Sequence, residues 1–215
     1  HSNIINQIIG DRIKKGDCAD ELDYRIQVDK EYHYRLGYDY MTTRADFSAV
    51  HGQQNNEIHS SDDYIGADEN FLFTRAKTHE GQTAAGSRQY HQAGDSLIST
   101  WQEFNAYPWP DMNAVNFSPL ERLAGKIPDG MKAFPLAPGG VLANVMWIMG
   151  YEKFSMALME DLELVKAVFK EVGSRLVLLF DAYASFDIVG MLVMNDDMGF
   201  KTQTLISPDM MREFV

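Results

Sequence analysis

Apolar residues in the second half of the chain recur at steps of three and four. Leu162, Val165, Phe169, Val172, Leu176, Leu179 and Tyr183 form one stripe, which predicts a long helix buried along one side. Near the start, Ile4, Ile5, Ile8 and Ile9 share a helical face that runs towards Gly10. A second helical pattern extends from about Asp20 through Val28 and Tyr32 to Leu36 and stops at Gly37. Elsewhere the period changes. Residues 38–42, 131–136 and 188–194 are short runs bounded by turn residues, and they read as strands. The third is apolar throughout, as in a strand buried on both faces.

Ser118-Pro119-Leu120-Glu121 reads as a helix start, with Ser118 as N-cap, Pro119 in the first turn and Glu121 completing a capping box. Pro138-Gly139-Gly140 separates the strand at 131–136 from an apolar helix over 141–149, and Ser207-Pro208 opens a last helix. Strand, loop, helix, strand, loop, helix predicts parallel strands joined by crossover helices. An α/β class follows; barrel and open doubly wound sheet both satisfy the pattern. Residues 43–98 break it, being polar and too long for a simple connection. They read as an insertion or cover, with a hairpin expected near 70–75. An aromatic return follows at Trp101–Phe104 and Tyr107-Pro108-Trp109-Pro110.

The 215 residues carry a net charge of -12, which removes nucleic acid and anionic membrane surfaces from the expected partners. No apolar run reaches the length of a membrane span. Cys18 is the single cysteine, so no internal disulfide forms, and a cytoplasmic setting is the expectation. His51, His59, His79 and His91 fall in the polar insertion at irregular gaps, and no metal cluster is expected from them.

The chemistry concentrates where the apolar run 188–194 stops at Asn195-Asp196-Asp197. Two adjacent carboxylates at the C-terminal end of a strand occupy the place where α/β folds build active sites. An Asp pair commonly caps a turn or forms a salt bridge; here the strand-end position instead makes Asp196 and Asp197 the catalytic candidates, as proton acceptors or ligands to a cation, and Asn195 a substrate contact. Gly139 and Gly140 either let a ligand approach a helix N-terminus or serve as a strand-to-helix turn.

Several local patterns occur in a telling order: LGYDY at 36–40, ISTWQEFNAYPWPD at 98–111, IPDGMK at 127–132, PGGVLANVMWIMGYE at 138–152 and NDDMGFKTQTLISPDMMREFV at 195–215. Together they resemble the uroporphyrinogen decarboxylase superfamily, which also contains cobalamin-dependent methyltransferases. The resemblance implies a (β/α)8 TIM barrel, a fold that needs ~250 residues or more. The chain is thus expected to hold one partial barrel domain over 1–215, with the polar insertion at about 43–98 as a lid.

The resemblance also assigns residues. Asp196 matches a substrate-holding polar position after the central strand. Asp39 is the nearest counterpart of an early-strand aspartate, and with Tyr40 it is expected to line the same mouth. A family tyrosine falls near Val145, which cannot hydrogen-bond, and the arginine-rich motif that grips propionates is absent from 1–215. A polycarboxylate needs several such cations, so the expected activity is methyl transfer between a small methylated substrate and a corrinoid protein. The corrinoid would sit on that partner, and zinc, where used, on residues outside this chain. A homodimer is compatible with the family. The alternatives are uroporphyrinogen decarboxylation and a non-catalytic ligand-binding barrel.

Overall fold

The computed structural model describes residues 7–51, 64–65, 72–76, 79–83, 86–90, 96–199 and 201–215. In chain order these contain α1 (Glu21–Arg35), β1 (Tyr40–Thr43), β2 (Tyr64–Ile65), β3 (Arg75–Ala76), β4 (His79–Thr83), β5 (Gly86–Tyr90), α2 (Trp101–Ala106), α3 (Ser118–Ala124), β6 (Lys132–Pro135), α4 (Val141–Met149), α5 (Tyr151–Glu160), α6 (Leu162–Ala184) and α7 (Pro208–Phe214). The protein is mixed α/β and mostly helical, with one small parallel sheet. Among the described residues no helix is long and apolar enough to cross a membrane.

The chain folds as two compact units, where the sequence pattern suggests one domain. The first comprises His1–Asp46, Asn116–Ala137 and Phe180–Val193. Asp20 opens α1 by accepting the Asp23 N–H at 2.8 Å, the N-cap its side chain is suited to. Strand β1 pairs in parallel with β6, with Tyr40 opposite Lys132 and Thr43 opposite Pro135. Residues 188–193 join the other edge of β6 through parallel bridges at Ala133–Val189 and Leu136–Val193. There Ala133 N donates to Ile188 O at 2.7 Å, and Gly190 N donates to Ala133 O at 3.0 Å.

Packing decides how far these elements extend. Met41 and Ala133 point to one side of the sheet and pack with Ile26 of α1, Leu123 of α3 and Met131. Tyr183 is fully buried, its hydroxyl accepting the Ala45 N–H at 3.1 Å. The run 188–194 differs from its expectation. It makes isolated bridges instead of a full strand, and Met191, Leu192 and Met194 are exposed. Consecutive residues Met191 and Leu192 are both exposed, which the run's all-apolar composition could not reveal.

The second unit comprises Phe47–Val115, Pro138–Leu179 and Met194–Val215. Its core includes Leu142, Val145 and Ile148 of α4, Phe154 of α5, and Val165, Phe169 and Leu176 of α6. The stripe read from α6 is buried except for Leu162, which is half-buried. The polar stretch is more than a cover: Phe47, Val50, Leu72, Phe73 and Ile98 are all buried. It holds two antiparallel pairs, β2–β3 and the β4–β5 hairpin, of which the second was not legible in the sequence. The hairpin expected near 70–75 lies partly outside the described residues. So do Ile4 and Ile5 of the first helical pattern.

The aromatic return is fixed by one arginine. The Arg175 guanidinium lies 5.1 Å from the Trp109 ring centroid and donates to Pro110 O at 3.1 Å, while Glu171 pairs with it. Such a half-buried stack is worth about 1 kcal/mol or more. Arg175→Met is expected to lower stability by about 1–2 kcal/mol, whereas Arg175→Lys should recover little because the planar fork is lost. Urea unfolding of the three proteins checks this.

Candidate functional site

Strand β6 leads into Pro138-Gly139-Gly140 and then α4. The helix starts on apolar residues, so none of its own side chains caps its first N–H groups. Those donors must be met from elsewhere. Asp196, more than fifty residues later, meets them: Oδ2 accepts the Leu142 N–H at 2.7 Å and Oδ1 accepts the Ala143 N–H at 2.8 Å. Both oxygens of one carboxylate are thereby directed at a helix N-terminus, where the backbone dipole also favours negative charge.

Gly140 makes room for this contact, and Gly139 for the side chains of Trp147 and Asn144. Gly140 has ordinary extended backbone, but a β-carbon there would overlap Cβ, Cγ and Oδ2 of Asp196. Gly139 has φ 91°, and a β-carbon would stand 2.9 Å from the Trp147 ring. Asn144 closes the turn: its Nδ2 donates to Pro138 O at 3.2 Å and Gly140 O at 2.8 Å, and the residue is buried. Sequence reading missed Asn144. Its signal was a single amide inside the apolar run 141–149.

Of the two readings left open for Gly139–Gly140, ligand approach or strand-to-helix turn, neither is decided by this contact: the chain's own Asp196 carboxylate occupies the helix start. Asp197 and Asn195 are exposed, and Asp197 Oδ1 makes one long contact, 3.5 Å from Gly199 N. The adjacent carboxylates thus differ: one caps a helix, and the other faces solvent. An antiparallel bridge joins Gly199 to Thr204, and Ser207 caps α7 by accepting the Met210 N–H at 3.2 Å.

Asp39 and Tyr40 belong to the first unit, and Gly139, Gly140, Asn195, Asp196 and Asp197 to the second. The expectation placed Asp39 and Tyr40 at a C-terminal mouth. Strand β1 instead opens at Tyr40 and ends at Thr43, so both residues stand at its N-terminal end. The strand runs two residues later than its pattern suggested, because Tyr38 and Asp39 lie in the turn after α1. Tyr40 is exposed there, its ring 5.6 Å from Tyr38 and 6.2 Å from Phe134.

Among the described residues no three of His, Cys, Asp and Glu come together as a metal site. Cys18 is half-buried, with its thiol 3.6 Å from Lys14 O. His51 is buried, and His59 and His91 lie outside the described residues. Comparison with family models, curated proteins and solved structures finds no match for this chain.

Proposed function

We propose that the protein is an enzyme of the uroporphyrinogen decarboxylase superfamily. In this reading β1, β6 and residues 188–193 are neighbouring strands of a (β/α)8 barrel, and the activity is methyl transfer between a small methylated substrate and a corrinoid protein. One observation supports it most. The three parallel segments lie side by side in chain order, and an exposed carboxylate, Asp197, follows the C-terminal end of the third.

The two aspartates divide the work. Asp197 holds or polarises the substrate, while Asp196 keeps the segment in place through Leu142 and Ala143. The corrinoid of the partner supplies the methyl-accepting chemistry. What this chain supplies is orientation, which carries much of the rate when a methyl group must approach in line. A carboxylate suits a cationic or proton-bearing substrate better than a polyanion. The described residues do not offer a zinc ligand set, and no step here runs through zinc.

The test uses the full chain with cob(I)alamin and a panel of small methylated thiols, methylamines and methoxy compounds, followed by the change in corrinoid absorbance as methyl passes to cobalt and the thiol, amine or alcohol is released. Turnover with at least one methyl donor is expected, reduced about 100-fold in Asp197→Asn. Absence of any methyl transfer, together with conversion of uroporphyrinogen to coproporphyrinogen, would replace this reading by decarboxylation. Ligand binding without turnover, unaffected by Asp197→Asn, would leave a binding protein.

A further inference from the structure

We propose that Asp196 and Gly140 form a latch that holds residues 195–199 and 201–205 against the first turn of α4, and that these residues open as a unit when the latch is released. The segment projects its side chains outward: Asn195, Asp197, Met198, Lys201, Thr202, Gln203 and Thr204 are all exposed. Internally it is tied by the Gly199–Thr204 bridge and by Leu205 N donating to Met198 O at 3.0 Å. Its far stem is anchored, because Ile206 is 5% exposed and Ser207 caps α7.

The near stem has a different anchor. Among the described residues, the hydrogen bonds that leave segment 195–205 are the two made by Asp196 to Leu142 and Ala143. One carboxylate thus connects a solvent-facing hairpin to a rigid apolar helix. The slot that receives it is shaped by Gly140, where any β-carbon would displace the carboxylate. A contact built on one side chain and two donors is either made or lost. Segments with few buried contacts and a small number of such anchors are the ones that open locally while the core stays folded. The purpose of the latch, setting Asp197 at the entrance to the site, rests on the function proposed above. The latch itself does not.

Hydrogen exchange on the full chain tests it. In the unmodified protein the amides of Leu142 and Ala143 and those of 195–206 are expected to exchange together, more slowly than exposed loops. Asp196→Asn keeps the size of the side chain but replaces one acceptor oxygen by an NH2 group. Exchange at 142–143 and 195–206 is expected to rise about tenfold more than at α6 residues 162–179, the size of losing one helix cap. Gly140→Ala should reproduce that pattern, and Asp197→Asn should leave it as it was. Unchanged exchange over 195–206 in both latch variants would overturn the proposal. So would a rise spread equally over α6, which would make Asp196 an ordinary part of global stability. None of these readings uses turnover. A failed latch with Asp197-dependent methyl transfer would refute the latch alone, and an intact latch without methyl transfer would refute the function alone.

Discussion

Gly140→Ala is expected to cost about 3 kcal/mol, combining an overpacking term with loss of the α4 cap. The backbone at Gly140 is extended, so alanine is not penalised for its φ; the whole effect is steric. An added methyl overlaps the Asp196 carboxylate, which then leaves Leu142 and Ala143 without an acceptor. For a chain of this size that is a fall of roughly 6–12 °C in Tm by calorimetry. Asp196→Gly alone should cost less, about 1–2 kcal/mol, since it removes the cap without creating a clash. The double variant is the decisive measurement. With no side chain at 196 there is little for a methyl group at position 140 to strike, so its cost should fall well short of the sum of the two single costs. Strict additivity would mean that the two positions do not meet.

The second large effect concerns alkaline pH. Burial pushes the Tyr183 phenol up from 10.0 to about 12, with the Ala45 N–H that it accepts pulling slightly the other way. A phenol is neutral when protonated, and the core keeps it so. In the unfolded chain it ionises near its ordinary value. Between pH 10 and pH 12 the folded state therefore holds a proton that the unfolded state has lost, and stability declines as pH rises. The contribution is complete below pH 10 and gone above about pH 12, a change of about 3 kcal/mol. Tyr107, whose hydroxyl donates to Thr74 O at 2.6 Å, is pushed up by burial as well and adds to the same decline.

Tyr183→Phe separates this from general alkaline swelling. The variant leaves the Ala45 N–H without its acceptor and should be about 1 kcal/mol less stable at pH 8. From pH 10 to 12 it should lose about 3 kcal/mol less than the unmodified protein, so the two stability curves cross. Urea unfolding at pH 8, 10, 11 and 12 measures both curves. A parallel decline would show that the Tyr183 proton is not responsible.

Local structure was legible where a single stretch of sequence carries its own reason to fold. The α6 stripe needed only the helical period, and Asp20 and Ser207 announced the starts of α1 and α7 by their capping chemistry. Helix α4 matches the expected 141–149. The start of α3 falls where Pro119 places it, yet Ser118 makes no cap, and Asn116 Oδ1 accepts the Ser118 N–H instead. Helices α2 and α5 were not anticipated; α2 has six residues, too few for an apolar stripe to show.

Tertiary structure decided everything that depends on who stands opposite whom. An apolar run such as 188–194 carries no record of whether a layer covers it, so its exposed methionines could not be foreseen. Strand polarity, not composition, sends Asp39 and Tyr40 to the opening end of β1. The Asp196-Asp197 pair is the sharpest case. Along the chain the two carboxylates are equivalent neighbours; in space one faces the unsatisfied N–H groups of α4, through a gap that only glycine leaves, and the other faces water. Sequence by itself determined helices α1, α4, α6 and α7 and the parallel sense of β1 and β6, because those follow from period and turn chemistry. The separate tasks of the pair were decided only by folding, because a hydrogen bond between residues more than fifty positions apart leaves no local trace.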